Sequence, residues 1–208
     1  MIIAIDGPAA AGKGTLARRL AKHLGLAYLE SGKLYRAVAL KLLRQGLDPS
    51  DRREAAKAAG ALAVSDLDDP ALLKEATAKA ASIVAAIPEV RAALLAFQHH
   101  FAAHPPNDAK GVVIDGRDIG TVVCPHADHK FFVTANTEVR AVRRLKQLRE
   151  RGAKGIHSRV LKHMKERDAR DSGREISPLV PAPDAHLLDT SEMDADEVFA
   201  AALEQIER

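Results

Sequence analysis

Apolar residues along the chain fall into two alternating patterns: short β-branched runs, and longer stretches with an apolar position every three or four residues. Ile2–Ile5 is a run of the first kind and stops at Asp6-Gly7-Pro8, which predicts a buried strand entering a turn. Leu16, Leu20 and Leu24 then recur at helical spacing beside Ala17 and Ala21, and Gly25 supplies a stop. Leu26–Leu29 reads as a second strand. Leu34, Val38 and Leu42 place a second helix behind it, ending at Gly46. Strand, helix, strand, helix is the pattern of a parallel sheet with right-handed crossovers.

From about Asp48 to His104 the pattern changes. The stretch is alanine-rich, with Pro70 placed to open one helix and Pro88 to mark the boundary between two others. Leu72, Leu73, Ile83, Val84, Val90, Leu94 and Leu95 give it apolar faces, so it predicts a helical insert rather than low-complexity sequence. Strands resume at Gly111–Ile114 and Lys130–Val133. Asn136 is the N-cap candidate for a basic helix, Thr137–Arg151, with Glu138 in its first turn. Gly152 and Gly155 bracket a connection to a second charged helix near Ser158–Asp171. Leu187-Leu188 marks a fifth strand, and Asp194 with Glu197 forms a capping-box start to a last helix carrying Phe199, Leu203 and Ile206.

A length of 208 residues allows one sizeable core with an insert rather than two full domains. No apolar run approaches the roughly 18–20 residues of a membrane span, and the start lacks the basic, cleavable pattern of an export signal. The lone Cys124 cannot build an intrachain disulfide framework, so a reducing cytoplasm is expected. A net charge of +3 is too mild to imply nucleic acid, and 3% aromatic residues without Trp provide no stacking platform for single strands. Composition favours a small anionic ligand.

Gly7-Pro8-Ala9-Ala10-Ala11-Gly12-Lys13-Gly14-Thr15 sits between the first strand and the first helix, the context that makes a phosphate-cradling loop credible. Gly7 and Gly12 can adopt backbone angles closed to other residues, so successive amides converge on an anion. The helix adds unbonded N–H groups and the positive end of its dipole, and Lys13 a mobile charge for the β- and γ-phosphates of a bound nucleotide. The strict motif has Ser or Thr directly after the lysine. Here Gly14 takes that place and Thr15 follows, which leaves open whether the hydroxyl meets Mg2+ or only a phosphate. The signal is strong for phosphate binding and weak for the reaction.

Three further segments supply charge. In Glu30-Ser31-Gly32-Lys33-Leu34-Tyr35-Arg36, Ser31 can donate to a phosphate and Arg36 can grip one bidentately, although for this segment taken alone an ordinary Ser N-cap with a surface arginine is the commoner reading. Asp115-Gly116-Arg117-Asp118 follows the third strand, where parallel sheets place ligands. Asp115 resembles a Walker-B aspartate able to hold hydrated Mg2+. Arg117 and Asp118 offer a phosphate cation and a base-reading acceptor. On the late charged helix, Arg167, Arg170, Asp171 and Arg174 fall on one side. Solvated ion pairs would explain such a helix in isolation, but its position, glycine-flanked and downstream of a phosphate site, points to an arginine-bearing lid.

With these motifs the chain resembles the bacterial cytidylate kinases, from residue 2 nearly to the C-terminus except for part of the insert. The resemblance is carried by Ile-Asp-Gly-Pro-x-x-x-Gly-Lys-Gly-Thr, Ser-Gly-x-x-Tyr-Arg, Ala-Ser-x-Val-Ala (Ala81–Ala85) with Val90-Arg91, Asp-Gly-Arg-Asp-x-Gly-Thr-Val-Val, and Glu-Arg-Asp-x-Arg-Asp ending in Pro-Leu-x-Pro-Ala (Pro178–Ala182). It implies a three-layer α/β P-loop kinase fold: a core with a five-stranded parallel sheet (1–47, 105–148 and 175–208), a helical monophosphate-binding insert (48–104) and a lid (149–174). It further implies a monomer that phosphorylates CMP, and dCMP, with ATP and Mg2+. By position, Ser82, Arg91 and Asp118 would read cytosine. Ser31, Arg36, Arg117 and Arg174 would hold the CMP phosphate, Asp171 the sugar, and Tyr35 the acceptor pocket. Arg167 and Arg170 would fall, with Lys13, on the transferring phosphoryl group, and the loop Gly7–Thr15 on ATP.

The chain departs from many relatives in its insert, where Val64–Pro70 stands in place of a small β-sheet. UMP or another monophosphate is the alternative acceptor. A non-catalytic nucleotide-binding regulator and a nucleic-acid-binding ATPase are the alternatives in kind, although a regulator would have no need of a full arginine set. Cys124, His126 and His129 are eligible metal ligands, but their spacing is irregular and no fourth lies near, so they read as a loop with exposed histidines and a small buried thiol.

Overall fold

The computed structural model describes residues 1–150, 152 and 154–208, with Val64 described by its backbone alone. Arg151, the predicted end of the basic helix, lies outside the described residues. In chain order the elements are β1 (Ile2–Asp6), α1 (Lys13–Leu24), β2 (Ala27–Glu30), α2 (Ser31–Arg44), α3 (Arg52–Gly60), α4 (Glu75–Val84), α5 (Pro88–Ala103), β3 (Val112–Asp115), β4 (His129–Thr134), α6 (Thr137–Glu150), α7 (His157–Ser172), β5 (His186–Asp189) and α8 (Ala195–Ile206). They form two compact units, residues 1–29 with 105–208, and residues 30–104.

In the first unit the five strands make one parallel sheet in the order β2-β3-β1-β4-β5. β1 is central, with Ile5 opposite Asp115 of β3 and Asp6 opposite Phe132 of β4. A central parallel strand is covered on both faces, which is why Ile2–Ile5 is apolar without alternation. Ile3, Ile5, Val113, Phe131 and Val133 pack against Leu16 and Leu20 of α1 and Val198 and Ala202 of α8. This register brings the carboxyl ends of β1 and β3, with Asp6 and Asp115, to one edge of the sheet.

Several predicted stops and starts are present as bonds. Gly25 closes α1 at φ +65°, and the Leu26 amide donates to the Ala21 carbonyl. Asn136 Oδ1 accepts the Glu138 amide at 2.9 Å. Asp194 accepts the amides of Asp196 and Glu197, while the Glu197 carboxylate accepts the Asp194 amide.

In the second unit α2 packs on α3, α4 and two short 3-10 turns, Val64–Asp68 and Pro70–Leu73. Ala37, Leu40 and Leu72 are its buried centre, flanked by Leu62, Leu67 and Ala71. One expectation changes here. Pro70 opens a 3-10 turn rather than an α-helix: the Asp69 carboxylate caps the Ala71 amide, and Lys74 is extended, so α4 starts afresh at Glu75. The compact unit that holds the insert helices begins at Glu30, because α2 packs with α3 and α4. Pro88 is the first residue of α5, as its fixed φ favours. Among the described residues no strand lies between 31 and 104, and no single helix is long and apolar enough to cross a membrane.

Candidate active site

The chain leaves β1 at Asp6 and turns through residues 7–12 into α1. Gly7 has φ +140°, and a Cβ there would overlap the Val133 carbonyl, so only glycine lets the loop pass β4. Gly12 is the left-handed N-cap of α1 at φ +103°, with no side-chain capping bond. Ala10 is also left-handed, at φ +60°. The amides of Thr15 and Leu16 donate to Gly12 O, both at 3.1 Å. The Lys13 and Gly14 amides precede the helix's own ladder and are the donors a phosphate can take.

Lys13 is buried, and its Nζ donates to the Pro8 carbonyl at 2.8 Å. Burial, then the guanidinium of Arg117, pushes its pKa down to about 7. Arg167 adds to the depression, and Asp115 and Asp6 oppose it. Lys13 therefore feels the charges of two guanidiniums, a repulsion that an anion relieves.

Asp115 ends β3, buried, and its Oδ2 accepts from the Tyr28 hydroxyl at 3.2 Å. A Cβ on Gly14 would stand 3.3 Å from that oxygen and 3.3 Å from Arg18 Nη1. A Ser or Thr side chain at 14 would press on Asp115 and Arg18, which glycine avoids. Thr15, one residue on, is exposed. A carboxylate and a hydroxyl are hard oxygen donors, too few for a protein cage but suited to Mg2+, which keeps waters and takes phosphate oxygens.

Asp6 carries a role that its place at a strand end did not reveal. Its carboxylate accepts the amides of Ile119 at 2.8 Å and Gly120 at 2.7 Å, across 113 residues of sequence. It thereby fixes the segment after β3, where Ile119–Val123 forms one π-helical turn, with the Val123 amide reaching Asp118 O at 3.1 Å. Burial raises the Asp6 pKa to about 6 against the pull of those two amides, with the Asp118 charge adding to the rise. Asp118 itself is buried.

α7 carries the residues that the sequence assigns to a lid. Asp171 is buried, and its Oδ2 accepts Arg117 Nε at 3.0 Å and lies 3.6 Å from Arg167 Nε. Burial would raise its pKa, but the guanidiniums of Arg117, Arg167 and Arg174 hold it below the usual carboxylate range. One reading of this segment changes. Arg174 lies beyond the end of α7, which stops at Ser172, and reaches Asp171 through Nε to the backbone oxygen at 3.3 Å. Arg167 and Arg170 lie on α7 with Asp171, and Arg170 is exposed.

In the second unit Ser31 is the first residue of α2, not its cap. Glu30 holds the cap position, and Ser31 is buried. Tyr35 and Arg36 are half-buried one turn on. Arg91 of α5 is buried, donates to Ala85 O at 3.1 Å, and sets its guanidinium 5.6 Å from the centroid of the Tyr35 ring, a cation–π contact. Ser82 is half-buried on α4. Cys124 is buried, and burial followed by the Asp6 charge pushes its thiol up to about 11, so it stays protonated.

The sequence model of the cytidylate kinases matches residues 3–208. The chain belongs to the cytidylate kinase family. A cytidylate kinase of Paramagnetospirillum magneticum is 61% identical over 202 residues, covering 97% of this chain and 95% of the relative. Another, from Rhodospirillum rubrum, is 58% identical over 204 residues, covering 98% and 96%. Among solved structures, a sugar kinase from Janibacter sp. superposes with TM-score 0.52 at 14% identity, covering 99% of this chain and 94% of that one. A protein from Eubacterium ventriosum superposes at 0.56 and 15%, covering 100% and 98%. At such identity these likenesses speak for the kinase-type α/β fold alone. Three residues outside the motifs quoted from the sequence are bonded to the loop between β1 and α1, Arg140 and Thr190 directly and Arg143 through Thr190. Thr190 Oγ1 lies 2.9 Å from Ala11 O in the phosphate loop and 2.8 Å from Arg143 Nη1. No local pattern marks them, because their partners are distant in sequence.

Proposed function

We propose that the chain transfers the γ-phosphoryl group of ATP to the phosphate of CMP, giving ADP and CDP. The observation that carries this reading is a glycine-shaped loop holding a buried lysine, Lys13, at the start of α1, in a chain of this family. The CMP phosphate oxygen is already an anion, so the reaction needs alignment and charge neutralisation rather than a catalytic base. The loop Gly7–Thr15 holds the phosphates of ATP through its amides. Lys13 moves from the Pro8 carbonyl to the β- and γ-oxygens, and Arg167 and Arg170 meet the charge that spreads over the migrating group. Asp171 orients Arg117 toward the acceptor phosphate, which Arg174, Ser31 and Arg36 also bind. Ser82, Arg91 and Asp118 read the base, and Tyr35 supports Arg91.

Mg2+ fits beside Asp115 and Thr15, and when bound it supplies neutralisation of the phosphate oxygens. The reading extends to dCMP as a second acceptor and to a monomer working in the cytoplasm, in keeping with the lone, buried Cys124. The test is parallel initial rates with ATP against CMP, dCMP, UMP and AMP. CMP should exceed UMP and AMP by roughly tenfold or more in kcat/KM. UMP equal to CMP would move the assignment to a broader pyrimidine kinase. No ADP formation with any of the four would leave a nucleotide-binding regulator.

A further inference from the structure

The buried stripe of α7 changes character along its length. Val160 and Met164 are apolar and pack on Ala141 and Leu145 of α6, whereas the next positions at the same spacing, Asp168 and Asp171, are carboxylates. Asp171 takes Arg117. Asp168 takes Arg140 of α6, with Arg140 Nη2 to Asp168 Oδ2 at 2.7 Å. Arg140 is one of the most buried charges in the chain, with its side chain 5% exposed. Its other donors are committed: Nε to Ala135 O at 2.8 Å, Nη2 also to Thr137 Oγ1 at 2.9 Å, and Nη1 to Ala9 O at 3.4 Å. Ala9 belongs to the phosphate loop, and its neighbour Ala10 packs on the same α6–α7 cluster. One guanidinium thus touches the loop that cradles ATP and the helix that carries Arg167 and Arg170. Among the described residues Asp168 Oδ1 is buried and without a hydrogen-bond partner, so the carboxylate holds α7 through Oδ2 and Arg140 alone.

We propose that Arg140 and Asp168 are positioning residues for phosphoryl transfer: the pair fixes the rotation and height of α7 against the phosphate loop and so places Arg167 and Arg170. It touches no reacting atom. Asp168 lies between those two arginines in sequence, so a small roll of the helix about this point carries both away from the loop. A buried, hydrogen-bonded ion pair suits such a role because it is directional where the apolar contacts of Val160 and Met164 are not. The inference rests on the kinase reading for its catalytic consequence, and on geometry alone for the placement of α7.

The test uses the full chain with Asp168→Asn and Arg140→Lys, singly and together, assayed for CDP formation, for ATP hydrolysed without transfer, and for amide hydrogen exchange along α7. In Asp168→Asn, kcat should fall by roughly ten- to a hundredfold while KM for ATP and for CMP stays within about threefold, because the binding surfaces are intact and the arginines are misplaced. The fraction of ATP lost to water should rise. Exchange should quicken over Arg167–Ser172 and not in β1 or β3. The double variant should lose little more than the worse single one, since both break one link. A kcat within about twofold of the parent in Asp168→Asn, losses that multiply in the double variant, or unchanged exchange over α7 would each overturn the proposal. If Arg140→Lys fails to fold, Asp168→Asn, at a side chain 23% exposed, decides the matter. A parent chain that forms no CDP would fail the kinase reading instead, and exchange along α7 would then judge the placement by itself.

Discussion

Lys13 is held by a carbonyl of its own loop and pressed by two guanidiniums, so its charge is costly until an anion arrives. Lys13→Ala should therefore lower kcat by roughly a hundred- to a thousandfold in a folded protein, the range expected when one preorganised transition-state charge is removed; near-normal CDP formation would refute its role. Asp118→Ala should raise KM for CMP at least several-fold more than KM for ATP, and equal effects on both would remove Asp118 from base reading. Asp6 offers a different prediction, on stability against pH. Its folded-state pKa of about 6 stands above the ordinary 3.8, so the folded chain holds this proton more tightly than the unfolded one. The resulting stabilisation is complete below about 3.8 and is lost as pH rises through about 6, by on the order of 3 kcal/mol. Denaturant unfolding of the parent and of Asp6→Asn between about pH 4 and pH 7 should show the parent losing ground to the variant as pH rises. A gap independent of pH would contradict this.

Elements of this fold act as much by their ends as by their lengths. The turn out of β1 works only because Gly7 passes the Val133 carbonyl, and Gly7→Ala should cost more than about 3 kcal/mol or abolish nucleotide binding, read by thermal unfolding with and without ATP. At the other extreme, Asp194→Ala removes a reciprocal cap from α8. It should cost about 1 kcal/mol and leave kcat unchanged, and a large loss of activity would mean that α8 acts on the loop by a route other than packing. Between these lies the α6–α7 pair, whose apolar half gives adhesion and whose charged half gives register.

For the whole molecule, local signals in the sequence were enough wherever a residue's meaning lies in its neighbours. The glycines of the loop, the Asn136 and Asp194 caps and the β-branched strand Ile2–Ile5 are of this kind. Asp6 was not legible, because a carboxylate at a strand end becomes a clamp only when Ile119 and Gly120 are brought beside it. Arg140 read as one basic residue among several on its helix until Asp168 and Ala9 met it. Helical spacing placed Arg174 with Asp171, but α7 ends at Ser172, before Arg174. Pro70 promised a helix start, and the extended backbone at Lys74 ends it after one 3-10 turn.

The central claim is that the γ-phosphoryl group passes directly to CMP. It is tested most directly by following ATP labelled on the γ-phosphate through a reaction with CMP and the purified chain. The label should appear in the β-phosphate of CDP, with little in inorganic phosphate. Label that stays in ATP, or that reaches only inorganic phosphate, would contradict it.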